Sequence, residues 1–245
     1  NISLDIGFSK KELIQEMYDF YKKANQDDIY LRIQVSRGNV AREQINLTPE
    51  NFDKANVVMY IHELSLPKDE LYQKGIALYC ANVKRNTKKS MDPNIKSGNY
   101  LNNIMALIPK DISKYQDAFL LDHEGNVAEG TTFNIFAVKD GVIYTSPDDS
   151  DILRGITRDI VFYCSDKANL EIRKEKFKLS FLYSADEVFA TSSTKEIMPV
   201  AKIDQHLIPS KGIGPITKKL KEEYTKYVKH YLDEAKNKHP WRIDA

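Results

Sequence analysis

Near the start of the chain, apolar residues recur at helical spacing. Leu13, Ile14, Met17, Tyr21 and Ala24 fall on one side of a helical winding, and Ser9 with Glu12 has the form of a capping box, so a helix is predicted from about Lys10 to Ala24. Asn25-Gln26-Asp27-Asp28 ends it. From Ile29 to Ser36 apolar and polar residues largely alternate, which predicts a strand, and Arg37-Gly38-Asn39 turns the chain. Asn56 to His62 is rich in β-branched and aromatic residues and predicts a second strand. Pro67-Lys68-Asp69-Glu70 reads as a linker, which divides the chain into an N-terminal domain, 1–66, and a C-terminal domain, 67–245.

The second part mixes short strands with helices. Strands are predicted over Gly75 to Val83, Asp117 to Asp122, Asn134 to Lys139, Val142 to Thr145 and Ala185 to Ala190. Asp140-Gly141, between the third and fourth of these, is a strong hairpin signal. Helical patterns cover Tyr100 to Leu107, Gly155 to about Ala168, and Pro215 to about Lys236. Frequent hairpins make this an α+β chain rather than a regular βαβ winding. It holds no internal repeat and no glycine-rich nucleotide loop.

Composition narrows the function classes. The hydrophobic fraction is 42% and the charged fraction 29%, ordinary for a globular chain with a sizeable core. Lys plus Arg number 36 against 35 Asp plus Glu, a net charge of +1, so no strong field is present to hold a nucleic acid or an anionic membrane. No apolar run approaches the roughly 20 residues of a membrane span. Cys80 and Cys164 make neither a disulfide framework nor a zinc spacing, which points to a reducing, cytoplasmic setting. The histidines at 62, 123, 206, 230 and 239 have no metal-pair spacing, so no metal is expected. No GxSxG is present to support serine hydrolysis. The first ten residues do not read as a signal peptide, and a start without Met leads us to expect that the true beginning is missing.

Four short segments carry candidate chemistry. Lys96 sits in Asn94-Ile95-Lys96-Ser97-Gly98, where an apolar neighbour and a tight turn favour partial desolvation of the amine and hence nucleophilicity; alone, it reads as a surface loop lysine. Glu129, in Val127-Ala128-Glu129-Gly130-Thr131-Thr132, lies between apolar strands, where a carboxylate needs a cationic partner such as a protonated heterocyclic nitrogen; alone, it reads as a turn residue facing water. Gly155-Ile156-Thr157-Arg158 opens a helix whose free N–H groups suit a phosphate, and Thr191-Ser192-Ser193-Thr194 adds hydroxyls past a strand end. Together these two hint at a phosphorylated cofactor, although each also reads as an ordinary cap or turn. Arg37 and Arg42 flank a turn after the first strand and have the planar geometry to clamp a carboxylate, although each also reads as a solvated turn arginine.

Taken in order, these segments resemble the fold-type IV pyridoxal-phosphate enzymes, the family of D-amino-acid aminotransferases, branched-chain aminotransferases and 4-amino-4-deoxychorismate lyases. The resemblance runs from about Ile2 to Tyr227 and rests on Ser36-Arg37-Gly38 with Arg42, the IKSGNYLNN run (95–103), the stretch from Asp117 to Pro147, ILRGITRDIV and ADEVFATSSTKEIMPV. It implies a two-domain α+β fold with pyridoxal 5′-phosphate in the cleft, and a homodimer acting on an amino acid and a 2-oxo acid. Lys96 matches the lysine that forms the Schiff base and moves the proton between substrate Cα and cofactor C4′. Glu129 matches the carboxylate on the pyridine nitrogen. Gly155, Ile156 and Thr157 match the phosphate cradle, with Ser193 and Thr194 in a second phosphate loop. Tyr100 falls near a tyrosine beside the cofactor oxygen, and Arg42, with Arg37 and Thr194, matches substrate-binding positions.

The chain departs from the pattern in places. The spacing from Lys96 to Asn99 and the Arg37-Gly38 turn with Arg42 look like the D-amino-acid and lyase branches, yet Gln44 stands where the D-amino-acid enzymes place a histidine. The family's further N-terminal layer, with another phosphate-binding arginine, is not in this sequence, so the N-terminal domain is expected to be incomplete. The reading is transamination with a D-amino acid or branched-chain donor. Its alternatives are the lyase reaction, releasing pyruvate and 4-aminobenzoate, and a non-catalytic binding protein on the same fold.

Overall fold

The computed structural model describes residues 4–26, 28–39, 48, 52, 54–109 and 111–238. Contacts between Cα atoms divide the chain into two units, parting between Ser65 and Leu66.

In the first unit, helix α1 (Lys10–Ala24) begins with the capping box: Ser9 Oγ accepts from the Glu12 N–H, and the Glu12 carboxylate accepts from the Ser9 N–H. Strands β1 (Ile29–Ser36) and β2 (Asn56–Glu63) pair antiparallel, with Leu31 opposite Ile61 and Ile33 opposite Met59. Alternation puts these four side chains on one half-buried face and leaves Tyr30 and Tyr60 exposed on the other.

The second unit opens with helix α2 (Asp69–Lys74), so Asp69 and Glu70 belong to a helix and not to a linker. Its apolar residues are only the adjacent Leu71 and Tyr72, which show no helical period, and Pro67 just before it reads as a break. Then follow β3 (Ile76–Lys84), α3 (Leu101–Ala106), β4 (Asp117–Leu121), β5 (Val127–Gly130), β6 (Asn134–Lys139) and β7 (Val142–Thr145). The chain continues through α4 (Ile156–Lys167), β8 (Ile172–Lys174), α5 (Leu179–Tyr183), β9 (Glu187–Ser192), β10 (Glu196–Ile203), β11 (His206–Leu207) and α6 (Pro215–Lys238).

Among the described residues these strands form one nine-stranded sheet in the order β5-β4-β3-β10-β9-β6-β7-β8, with β11 on β10. Pairs β3–β4, β3–β10 and β7–β8 are parallel and the rest antiparallel, the mixed sheet of an α+β fold. Asp140 and Gly141 turn the β6–β7 hairpin with φ of 50° and 80°, the left-handed pair a two-residue turn requires.

Along β6 the side chains alternate between two cores. Ile135 and Ala137 join Leu78, Phe119 and Met198 on one face. Phe136 and Val138 join Phe189 and Ile197 on the other, under Val161 and Cys164 of α4 and Leu220 of α6. Phe136 and Phe189 stack there with ring centroids 4.8 Å apart. This double packing makes the sheet rigid and fixes the ends of β3, β5, β6 and β9, which carry the site.

Candidate active site

A cavity of about 380 Å³ lies where these strand ends meet the start of α4. Lys96, Tyr100, Glu129, Gly155, Ile156, Thr157 and Ser193 all line it. Residues far apart in the sequence are thus brought to one cavity. Thr194 lies one residue past the lined wall. Arg37 follows β1 in the other unit, and Arg42 lies outside the described residues.

Glu129 is on a strand and not in a solvated turn. β5 pairs with β4, so its side chain points into the protein and is only 6% exposed. The strand is hard to recognise in the sequence because β5 has four residues and ends at a glycine. Both of its carboxylate oxygens accept hydrogen bonds. Arg85 Nε donates to Oε1 at 2.8 Å, and the Leu153 N–H donates to Oε2 at 2.9 Å, with Asn134 Nδ2 at 3.4 Å. Burial pushes Glu129 up to about 6, against the pull of the Arg85 charge and the Leu153 N–H. The carboxylate is therefore close to changing charge near neutral pH, and a cation at its free side would hold it ionised.

Arg85 carries no sequence signal of its own. It sits in the run Lys84 to Ser90, which reads as a basic, polar stretch. The β3–β4 pairing runs to Lys84 opposite Leu121, and Arg85, the next residue, is turned inward onto Glu129. Lys96 lies in the loop between β3 and α3 and is exposed at the cavity wall, not desolvated as its neighbours suggest. Its loop is tied to the opposite wall, since Asn94 Oδ1 accepts from the Arg154 N–H at 3.1 Å.

The start of α4 is held by contacts on both sides. Gly155 is its N-cap residue and no side chain hydrogen-bonds the cap, so the first N–H groups, on residues that line the cavity, have no side-chain acceptor. Arg158, fully buried in the first turn, donates from Nη2 to the Ser146 carbonyl at 2.8 Å and pairs with Asp148 at 2.9 Å, which pins the helix to the segment after β7. Across the cavity Thr191 is 1% exposed, and its Oγ1 has no hydrogen-bond partner among the described residues. A buried hydroxyl without a partner is costly unless a bound group supplies one.

These features fit pyridoxal phosphate. The uncapped N–H groups of α4 and the Thr191 and Ser193 hydroxyls suit its phosphate. The buried Glu129 suits a protonated pyridine nitrogen, and the Lys96 amine suits its aldehyde carbon. Among the described residues no group of three His, Cys, Asp or Glu could hold a metal, and no helix is long and apolar enough to cross a membrane.

Comparison with known proteins agrees. The model of the amino-transferase class IV family matches residues 2–203, and the chain belongs to that family. It is 37% identical over 225 residues to a Methanocaldococcus jannaschii protein provisionally named a branched-chain-amino-acid aminotransferase, covering 91% of this chain and 76% of that one. It is 33% identical over 232 residues to a D-alanine aminotransferase of Staphylococcus epidermidis, covering 94% and 79%. The structure superposes on a T.th. branched-chain amino acid aminotransferase solved with pyridoxamine 5′-phosphate at a TM-score of 0.83, with 30% identity over 92% of this chain and 73% of that one. The protein is a pyridoxal-phosphate-dependent aminotransferase of fold type IV, moving an amino group from an amino acid to a 2-oxo acid. Membership in this family sets aside the non-catalytic binding reading, and the relatives favour amino-group transfer over the lyase reaction.

Proposed function

We propose that the amino donor is an aliphatic amino acid and that Lys96 and Glu129 carry the reaction. The observation supporting the residue assignment is the placing of a lysine amine and a buried, arginine-paired carboxylate on the walls of one cavity. The donor class is supported by the relatives, named for alanine and for branched-chain amino acids.

Bound pyridoxal phosphate supplies an electron sink for the pair left when the substrate Cα loses its proton. Lys96 would hold the cofactor through its amine and, with that amine free, would serve as the base that takes and returns the proton at the substrate Cα. Glu129 would keep the proton at the pyridine nitrogen, and the Arg85 charge favours the ionised Glu129 that this needs. The N–H groups of Ile156 and Thr157, with the Ser193 hydroxyl, would hold the phosphate, and Tyr100, which lines the same cavity, would contact the ring. Thr194, next to Ser193, would contact the substrate.

We further propose that two copies of the chain associate and that the enzyme works in the cytoplasm. Cys80 and Cys164 are both free, in keeping with a reducing compartment.

The test is to load the protein with pyridoxal phosphate and add D-alanine or L-leucine while following the visible band. Conversion to the pyridoxamine form by either donor supports the reading and fixes the stereochemical branch. Failure of both, with conversion by an acidic or aromatic amino acid, overturns the donor class. Release of pyruvate from aminodeoxychorismate with the band restored overturns transamination.

A further inference from the structure

Asn102 touches neither the cavity nor Glu129, yet it contacts the chain on both sides of the arginine that holds Glu129. It lies in the first turn of α3, six residues after Lys96. Its Oδ1 accepts from Arg85 Nη1 at 3.2 Å and from the Asn86 N–H at 3.2 Å. Its Nδ2 donates to the Lys84 carbonyl at 2.9 Å. A single amide thus binds the residue before Arg85, the residue after it, and the guanidinium itself. Turning the amide over would set a donor against two donors and an acceptor against a carbonyl, so its orientation is fixed.

Arg85 has few other anchors. Its N–H donates to the Leu121 carbonyl at 2.9 Å, which holds the backbone and leaves the long side chain unconstrained. An arginine side chain loses much rotamer freedom when held in one geometry. Asn102 and Glu129 fix it from opposite edges, Nη1 on one and Nε on the other. The other charge acting on Glu129 is Lys96; from β6 and the segment before α4 come the uncharged Asn134 amide and Leu153 N–H.

We propose that Asn102 is a positioning residue for the pyridine end of the cofactor site: it aims the Arg85 guanidinium at Glu129, and so sets the charge that Glu129 presents to the ring nitrogen. The proposal rests on the reading of Glu129 given above. It also gives the segment that carries Lys96 a second duty. Lys96 faces the cofactor's reactive carbon while Asn102, a little further along the same segment, governs the electrostatics at the far end of the ring.

The experiment uses the full chain with the Glu129 carboxyl carbon-13 labelled and followed by NMR against pH, first without cofactor. Arg85→Gln is expected to raise the Glu129 midpoint by about one to three pH units, the range for loss of an adjacent opposite charge. Asn102→Ala is expected to raise it by about one unit, and Asn102→Asp by more, because the new carboxylate competes for Arg85 and adds a like charge. Asn102→Asp keeps the shape of the side chain and the acceptor facing Arg85 and the Asn86 N–H while losing the donor to the Lys84 carbonyl, so it remains informative should the alanine variant fold poorly. Arg85→Lys is expected to fall between wild type and Arg85→Gln. An unmoved midpoint in both Asn102 variants, with a raised one in Arg85→Gln, overturns the proposal and leaves Asn102 a strut of α3. Loading with cofactor labelled with nitrogen-15 in the ring then separates the two readings. If Glu129→Gln leaves the ring nitrogen signal unchanged, the assignment of Glu129 fails, whatever the carboxyl titration has shown for Asn102.

Discussion

The side chain of Asn134 occupies the space that a Cβ on Gly155 would need. Its Nδ2 donates to the Leu153 carbonyl at 2.9 Å and points toward Glu129, while its Oδ1 lies against Gly155. The absence of a side chain at Gly155 therefore lets the start of β6, the Leu153 segment and the start of α4 close on one another. Gly155 has φ of −71°, so the requirement is steric and not conformational.

Gly155→Ala is accordingly expected to push Asn134 off Leu153 and to shift the first N–H groups of α4. Overpacking of this kind costs about 1–3 kcal/mol, or roughly tenfold or more in cofactor affinity if the strain falls on the phosphate cradle. Titration of the cofactor-free protein with pyridoxal phosphate, followed by fluorescence, measures it. An unchanged dissociation constant would show that the cradle does not depend on this contact.

Glu129 gives the cofactor-free protein a distinctive pH dependence. Its folded value of about 6 lies above the ordinary 4.5 because burial disfavours the charge. A carboxyl raised on folding adds stability that is fully present below its unfolded value and is lost as pH rises through its folded value. The stability of wild type relative to Glu129→Gln is thus expected to fall by about 2 kcal/mol between pH 4 and pH 7. Urea unfolding of both proteins across this range checks it, and a relative stability that rises with pH would contradict it.

Glu187 predicts a purely structural effect. Its buried carboxylate accepts from the Ile216 and Thr217 N–H groups at 3.0 and 2.8 Å and from Thr217 Oγ1 at 2.7 Å, so β9 supplies the cap for α6. Glu187→Ala leaves these donors unpaired and is expected to cost about 2–3 kcal/mol. The thermal midpoint should fall while the visible spectrum of the loaded protein stays as in wild type. A changed spectrum at unchanged stability would place Glu187 in the site instead.

Much of this is legible in the sequence where an element is long or its turn chemistry is strong. The capping box at Ser9 and Glu12, the Asp140-Gly141 hairpin and the Gly155 helix start stand where local residues put them. The short elements α2, β5, β8 and β11 are not legible: they display no period and lack the strong turn chemistry that marks the equally short β7, and contacts with the rest of the fold hold them in place. The same limit applies at the site. Lys96 and Glu129 are marked by ordered motifs spread along the chain, but Arg85, Asn102 and Asn134 act through partners 44, 17 and 19 residues away, contacts that only the folded sheet creates.

The most direct test of the account concerns Lys96. The loaded protein is reduced with borohydride, digested, and its peptides weighed by mass spectrometry. The account predicts one phosphopyridoxyl group, on the peptide at Lys96, and none on Lys96→Ala, which should also fail to convert the cofactor when an amino acid is added. A group fixed to another lysine in wild type, or a Lys96→Ala protein that still converts the cofactor, would contradict it.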